Sequence, residues 1–209
     1  MCLIYPSYFP NIASCITIVQ SKKICFEIED NYQKQTFRNR CYIYGANGKL
    51  GLHIPVHYTQ KKRQKTKDIR IDNSSKWKSI HWKSIESAYR TSPFFEFYED
   101  DFQSLFKNKS EWLMDYNFQC IDLIQQCLDV DFGYKTSTNF EKEVKDDFRP
   151  LIGVKNHEII QTNPYIQVFE NKHGYINNLS VLDVVFNLGT EALSYLLNHP
   201  KIKLSNFNF

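Results

Sequence analysis

The residues best equipped for chemistry fall in one short run, Tyr32-Gln33-Lys34-Gln35-Thr36-Phe37-Arg38-Asn39-Arg40-Cys41. Arginine offers a carboxylate or phosphate a planar, bidentate fork, and lysine offers it a point charge. Arg38, Arg40 and Lys34 are therefore candidate anion holders, while Asn39 and Gln33 can orient a substrate carbonyl. Just upstream, Glu27-Ile28-Glu29-Asp30 carries carboxylates to the end of an apolar run. Glu29 and Asp30 are candidate general bases, able to take a proton from an attacking amine or hydroxyl. His81 is the third candidate base, because it falls inside an apolar helical stripe where burial lowers an imidazole pKa. Each has a plainer reading. A lone histidine in such a stripe is more often a packed core residue, and strand arginines more often lie in water or pair with nearby carboxylates.

These groups need a frame to hold them. An Asn47-Gly48 pair between two alternating runs is a strong hairpin signal, since a type I′ turn needs positive φ at both central residues. Counting outward from that loop sets Tyr44 against Gly51, Tyr42 against His53 and Arg40 against Pro55. Side chains alternate along a strand, so Cys41, Ile43, Leu52 and Ile54 face a core. Arg38, Arg40, Tyr42, Tyr44 and His53 share the other face, a surface suited to a polar ligand. Tyr8, an aromatic in a polar context after the first strand, is added to the candidate ligand contacts.

The pattern predicts an α/β chain of mixed α+β type. Residues 3–9 and 24–28 read as parallel strands joined by a helix that Asn11 caps, a crossover expected to be right-handed. A mixed sheet with the hairpin of residues 37–56 follows, and the second half is helical. Helices are expected over 76–90 with Ser74 or Ser75 as cap, over 94–106, and from a Ser110 cap to Leu128. A strand over 134–140, a polar connection over 141–148, a short segment over 159–161 and an extended piece over 166–169 come next. Ser180 caps a helix that Gly189 ends, and Thr190 caps the last one. The basic run of residues 60–70 reads as a solvated loop or as a lid over an anionic substrate. The whole of 1–209 reads as one domain.

Composition narrows the function classes. The formal net charge is only +3, too small for a nucleic-acid partner to be expected. No signal peptide or apolar run of membrane-spanning length is visible. Six cysteines without paired short spacings read as reduced, buried thiols of a cytoplasmic protein, with no metal site expected. With only 7 glycines the chain holds no glycine-rich phosphate loop.

Several segments together carry a resemblance. They are Tyr8-Phe9-Pro10, the run 32–40, Trp82-Lys83-Ser84-Ile85-Glu86-Ser87-Ala88-Tyr89-Arg90-Thr91-Ser92-Pro93-Phe94-Phe95 and Asp115-Tyr116-Asn117. Tyr165-Ile166-Gln167-Val168-Phe169 and Asn178-Leu179-Ser180 through Asn187-Leu188-Gly189 complete the set. In this combination the chain resembles the WbqC-like family of bacterial proteins, found in surface-polysaccharide (O-antigen) gene clusters. Relatives of the closer branch tend to carry a His-Glu pair where Glu29-Asp30 stands here. The resemblance implies a transferase moving a small acyl or aminoacyl group, glycine among them, onto a sugar. The expected partner is a small molecule, an activated sugar or acyl donor. The alternative is a non-catalytic module that binds a glycan or nucleotide beside a partner enzyme. Cofactor and oligomeric state are not specified by any motif.

Overall fold

A computed structural model describes residues 1–59, 63–156 and 160–204. Residues 60–62 of the basic run and Ile159 of the 159–161 segment lie outside the described residues. The opening is the expected crossover: β1 (Cys2–Ile4), α1 (Ile12–Val19) and β2 (Ile24–Phe26), with the strands parallel and Leu3 against Cys25. Asn11 caps α1 by accepting from the Ser14 N–H at 2.8 Å. Both strands are shorter than their apolar runs. Pro6 cannot donate to a ladder, and β2 gives way where Glu27 turns its side chain to Ser137.

The hairpin, β3 (Arg40–Gly45) and β4 (Gly48–His53), forms an antiparallel ladder of its own. Its register differs from expectation by two residues: Arg40 lies against His53, Tyr42 against Gly51 and Tyr44 against Lys49. Ala46-Asn47 is the loop, and in the hairpin only Gly48, just after the loop, has positive φ, 100°. The glycine therefore supplies the left-handed residue after a type I turn instead of the second position of a type I′ turn. A slip of two keeps every side chain on its face. Cys41, Ile43, Leu52 and Ile54 are buried as expected.

A small antiparallel pair, β5 (Val56–His57) with β6 (Arg70–Ile71), leads to α2 (Trp77–Tyr89), α3 (Phe95–Lys107) and α4 (Leu113–Cys127). The caps expected from Ser74, Ser75, Ser110 and Thr190 are not made. At α4 the Leu113 N–H instead donates to the Ile69 carbonyl, which stitches the helix start to the β6 segment. In α2, Trp77, His81, Ile85 and Ala88 are buried, but Ile80 is exposed although it falls on the same apolar stripe. β7 (Tyr134–Thr136) adds in parallel beside β2, so the sheet order is β1-β2-β7. α5 (Glu170–His173) follows the irregular 161–169 segment, and α6 (Val181–Leu188) and α7 (Ala192–Asn198) close the fold.

Phe9, Phe95, Phe102, Phe186 and Tyr89 centre the main core, between the helices and the buried face of the hairpin. Cys2, Ile4, Ile24 and Phe26 pack one face of the parallel sheet on Ala13, Ile18 and Ile121. No helix among the described residues is long and apolar enough to cross a membrane.

Candidate functional site

The C-terminal ends of parallel strands are where α/β proteins gather ligands. Here three chain segments leave the sheet on that edge: Tyr5 after β1, Glu27 after β2 and Ser137 after β7. A cleft of about 650 Å³ opens there, lined in part by Tyr5, Gln33, Thr36, Asp147 and Arg149.

Behind Tyr5, two residues to which the sequence gave separate roles, Arg38 and Asp30, form a charged pair. Arg38 Nη2 donates to Asp30 Oδ2 at 2.5 Å, and both residues are buried, Arg38 at 1% exposure. The Tyr5 ring covers the guanidinium, 4.1 Å from its centroid, a cation–π contact. The Arg38 Nε and Nη1 make no hydrogen bond, nor do Asn39 Oδ1 and Asn117 Oδ1 close by. Asn117 Nδ2 donates to the Arg38 carbonyl, which ties α4 to the base of the hairpin. Burial raises the Asp30 pKa above its ordinary value, with Arg38 opposing. Burial and the Asp30 charge push the Tyr5 phenol up to about 12.

A second ion pair continues the same edge. Glu27, 1% exposed, accepts at Oε1 from Ser137 Oγ (2.7 Å) and from the Glu29 N–H (2.8 Å). Its Oε2 has no hydrogen-bond donor and lies 3.7 Å from Arg149 Nη1. Arg149 grips Asp147 through Nε and Nη2 at 2.8 and 2.6 Å, and donates to the Glu141 and Lys142 carbonyls.

The remaining sequence candidates spread out from this edge. Gln33 lines the cleft and is exposed. Lys34 is exposed, with its ammonium over the Tyr58 ring. Glu29 is clasped by Lys65 and Lys67, whose hydrogen bonds lower its pKa. Asn39 Nδ2 donates to the Ile54 carbonyl at 2.9 Å, and the Ile54 N–H donates to the Asn39 carbonyl, which extends the hairpin ladder by one pair. Arg40 and Tyr42 are half-buried on the hairpin, and His53 is exposed opposite Arg40, its pKa lowered by burial and by that charge.

Tyr8 and His81 form a separate interior pair. The Tyr8 hydroxyl is 3.0 Å from His81 Nδ1, both side chains are buried, and Trp77 packs edge-on against the imidazole. Burial pushes the His81 pKa down to about 4, so the ring is neutral at pH 7. Neither residue lines the sheet-edge cleft. Tyr5, Glu27, Asp147 and Arg149 were not among the candidates from sequence. Glu27 was recognisable only as a carboxylate at a strand end, and Arg149 carried no local signal.

Other motif residues serve the fold. The Ala13 N–H donates to Asn178 Oδ1 at 2.9 Å, the Ile12 N–H to the Leu179 carbonyl, and Ser180 Oγ to the Phe9 carbonyl. The Tyr8-Phe9-Pro10 and Asn178-Leu179-Ser180 segments thus satisfy each other at the starts of α1 and α6. Asp183, wholly buried, accepts from Tyr89, Tyr165 and Gln167. No group of three or more His, Cys, Asp or Glu residues placed to hold a metal occurs among the described residues.

The model of the WbqC-like protein family matches residues 5–155. The chain belongs to that family. The match takes in the WbqC-like run 32–40, the hairpin, α2 to α4 and every charged residue of the sheet edge. Searches of curated proteins and of solved structures returned no match.

Proposed function

We propose that the sheet-edge cleft binds an activated small molecule and transfers an acyl or aminoacyl group, such as glycine, to a sugar in surface-polysaccharide assembly. One observation carries the reading. Two arginines of this edge are buried, yet only Arg149 has all its nitrogens engaged. Arg38 uses one nitrogen and keeps two unpaired, directly behind a ring that lines the cleft.

A carboxylate or phosphate of the donor, reaching past Tyr5, would take up those N–H groups by a charge-assisted fork. Gln33, which lines the cleft, supplies an amide N–H for the carbonyl, whereas Asn39 has its Nδ2 on the Ile54 carbonyl. In the transfer, the acceptor oxygen or nitrogen bonds to the acyl carbon, the bond to the leaving group breaks, and the acceptor proton passes to a carboxylate. Asp30 suits that last role best among the three sequence candidates, because burial raises its pKa toward the working range of a base. Glu29 is already neutralised by two lysines, and His81 lies in a separate interior cluster.

That dispersal favours one rival reading, a binding module without catalysis. A thermal-shift series with nucleotide sugars, aminoacyl or acyl donors, and free oligosaccharides separates the two, since a ligand of the native state stabilises it by mass action. Stabilisation by an acyl or aminoacyl donor, lost in Arg38→Lys when scored per folded molecule, is the outcome expected. Stabilisation by free oligosaccharide alone would replace the transferase with the binding module.

A further inference from the structure

A second, smaller cleft of about 230 Å³ lies on the face of the parallel sheet turned away from α1 and shares Val144 with the first. Its walls include Leu3, Cys25, Glu27, Lys135, Ser137 and Glu141. It is smaller than the 300–1,000 Å³ typical of sites for larger organic ligands. Three facts define its chemistry. Glu27 is buried in its wall, fixed through Oε1 by a hydroxyl and a backbone N–H, and its Oε2 receives no hydrogen bond. The nearest cation, Arg149, is 3.7 Å away and already committed to Asp147 through two hydrogen bonds. Glu27 and Asp147 together therefore bring two negative charges to one guanidinium, while Asp30 and Arg38 balance each other. Lys135 and Glu141, both exposed in the wall, offset one another as well. The buried edge thus keeps one carboxylate charge in excess, and an unpaired buried charge is costly unless a partner arrives.

We propose that this cleft is a binding site for a small primary ammonium, with the Glu27 carboxylate as its counter-ion and Ser137 as the residue that holds that carboxylate in place. The rest of the ligand would extend past Val144 toward the larger cleft. Only the further step, that this amine is the acceptor of the transferred group, rests on the function proposed above. The ammonium of an amino sugar and that of an amino-acid derivative share the recognised chemistry.

Calorimetric titration of the full chain with glucosamine, glycinamide and N-acetylglucosamine tests this without requiring turnover. Saturable binding of glucosamine or glycinamide is expected, the better one naming the source of the amine, with none for N-acetylglucosamine. Glu27→Gln keeps the shape and removes the charge, and should weaken amine binding about tenfold or more. Equal affinity in Glu27→Gln, or no saturable amine binding in the wild type, overturns the site. Should that variant fail to fold, the wild type still decides. Affinity must fall as pH rises past the amine's own pKa, and binding indifferent to that titration also overturns the proposal. Amine binding in a protein that ignores every acyl donor would refute the transferase while leaving this site standing.

Discussion

Arg38→Ala puts the buried pair under direct test. The partners are 1% and 3% exposed at the side chain and meet at 2.5 Å, so water cannot take over Asp30 when the guanidinium is removed. Breaking such a pair costs about 3–5 kcal/mol, against about 0–1 kcal/mol for an exposed one. The Tyr5 cation–π contact is lost too, about 0.5–2 kcal/mol that overlaps the first figure. Without Arg38, Asp30 keeps the burial and the Glu27 charge that raise its pKa, opposed by the Thr66 side chain. The native state then holds a proton that the unfolded chain releases, so the contribution is favourable in acid and lost as pH rises. The variant's deficit should therefore shrink on acidification, by at most about 1.4 kcal/mol per pH unit. Urea denaturation at pH 7 and pH 5, followed by circular dichroism, measures both effects. Adding Asp30→Asn should recover much of the loss at pH 7, because the stranded charge is gone. A cost under about 1 kcal/mol at pH 7, with no pH dependence, would refute the buried pair. Stability alone does not decide the ligand role, since removal of Arg38 destabilises the protein either way. Ligand-induced stabilisation per folded molecule does.

His81, with a pKa near 4 against an ordinary 6.5, binds its proton more weakly folded than unfolded, so its contribution is full above pH 6.5 and fades on acidification toward pH 4. The shift corresponds to roughly 3 kcal/mol, and His81→Leu should flatten that limb of the stability–pH curve. An unchanged limb would contradict the assignment. Asp183, pushed up to about 6 by burial, acts with the opposite sign: its contribution is present in acid and lost as pH rises through 6. Asp183→Ala strands the Tyr89, Tyr165 and Gln167 donors and should cost at least about 3 kcal/mol in urea denaturation. Gly189→Ala combines a left-handed φ of 52° with a Cβ driven into the Phe94 ring, so a loss of about 2 kcal/mol or more is expected; a change within 0.5 kcal/mol, roughly that of an ordinary surface substitution, would contradict the packing described.

The opening crossover was legible in sequence because Pro6, Pro10 and Asn11 punctuate two apolar runs at the correct distances, and periodicity inside a helix or strand is a local property. The hairpin was legible as an element but not in register. Gly48 could supply positive φ either inside the turn or just after it, and only the completed ladder selects between them. The alternation survived because the error was even, but Arg38 and Tyr44 of the face expected to meet a ligand are buried, Tyr44 against the Phe169 and Gly174 carbonyls. Within the site, Asp30 and Arg38 lie eight residues apart, so their pairing was within reach of sequence reasoning. Their burial was not, since it depends on Tyr5, just after β1, and Asn117 from α4 closing over the hairpin base. Glu27 and Arg149 meet only because β1, β2 and the 147–149 segment converge on one edge, with Leu3 bridged in parallel to Asp147. Long-range convergence of this kind leaves no trace in spacing.

Carboxylates beside basic side chains admit two explanations, mutual neutralisation or a shared ligand, and this molecule contains two controls for the first. Glu29 with Lys65 and Lys67 is neutralisation at the surface. Arg149 with Asp147 and two carbonyls is neutralisation in the interior, complete to the last nitrogen. Arg38 departs from both. It is the more deeply buried arginine, at 1% against 7%, and the less satisfied one. An unmet buried donor costs about 1–3 kcal/mol, more when charged. A side chain retained purely for packing would gain from an apolar replacement at that position. Under the function proposed above, the unmet donors of Arg38 are a reserve that an incoming anion would recover as binding free energy. The ring that conceals them is also the wall of the cleft, so the fold holds this reserve one aromatic side chain away from solvent.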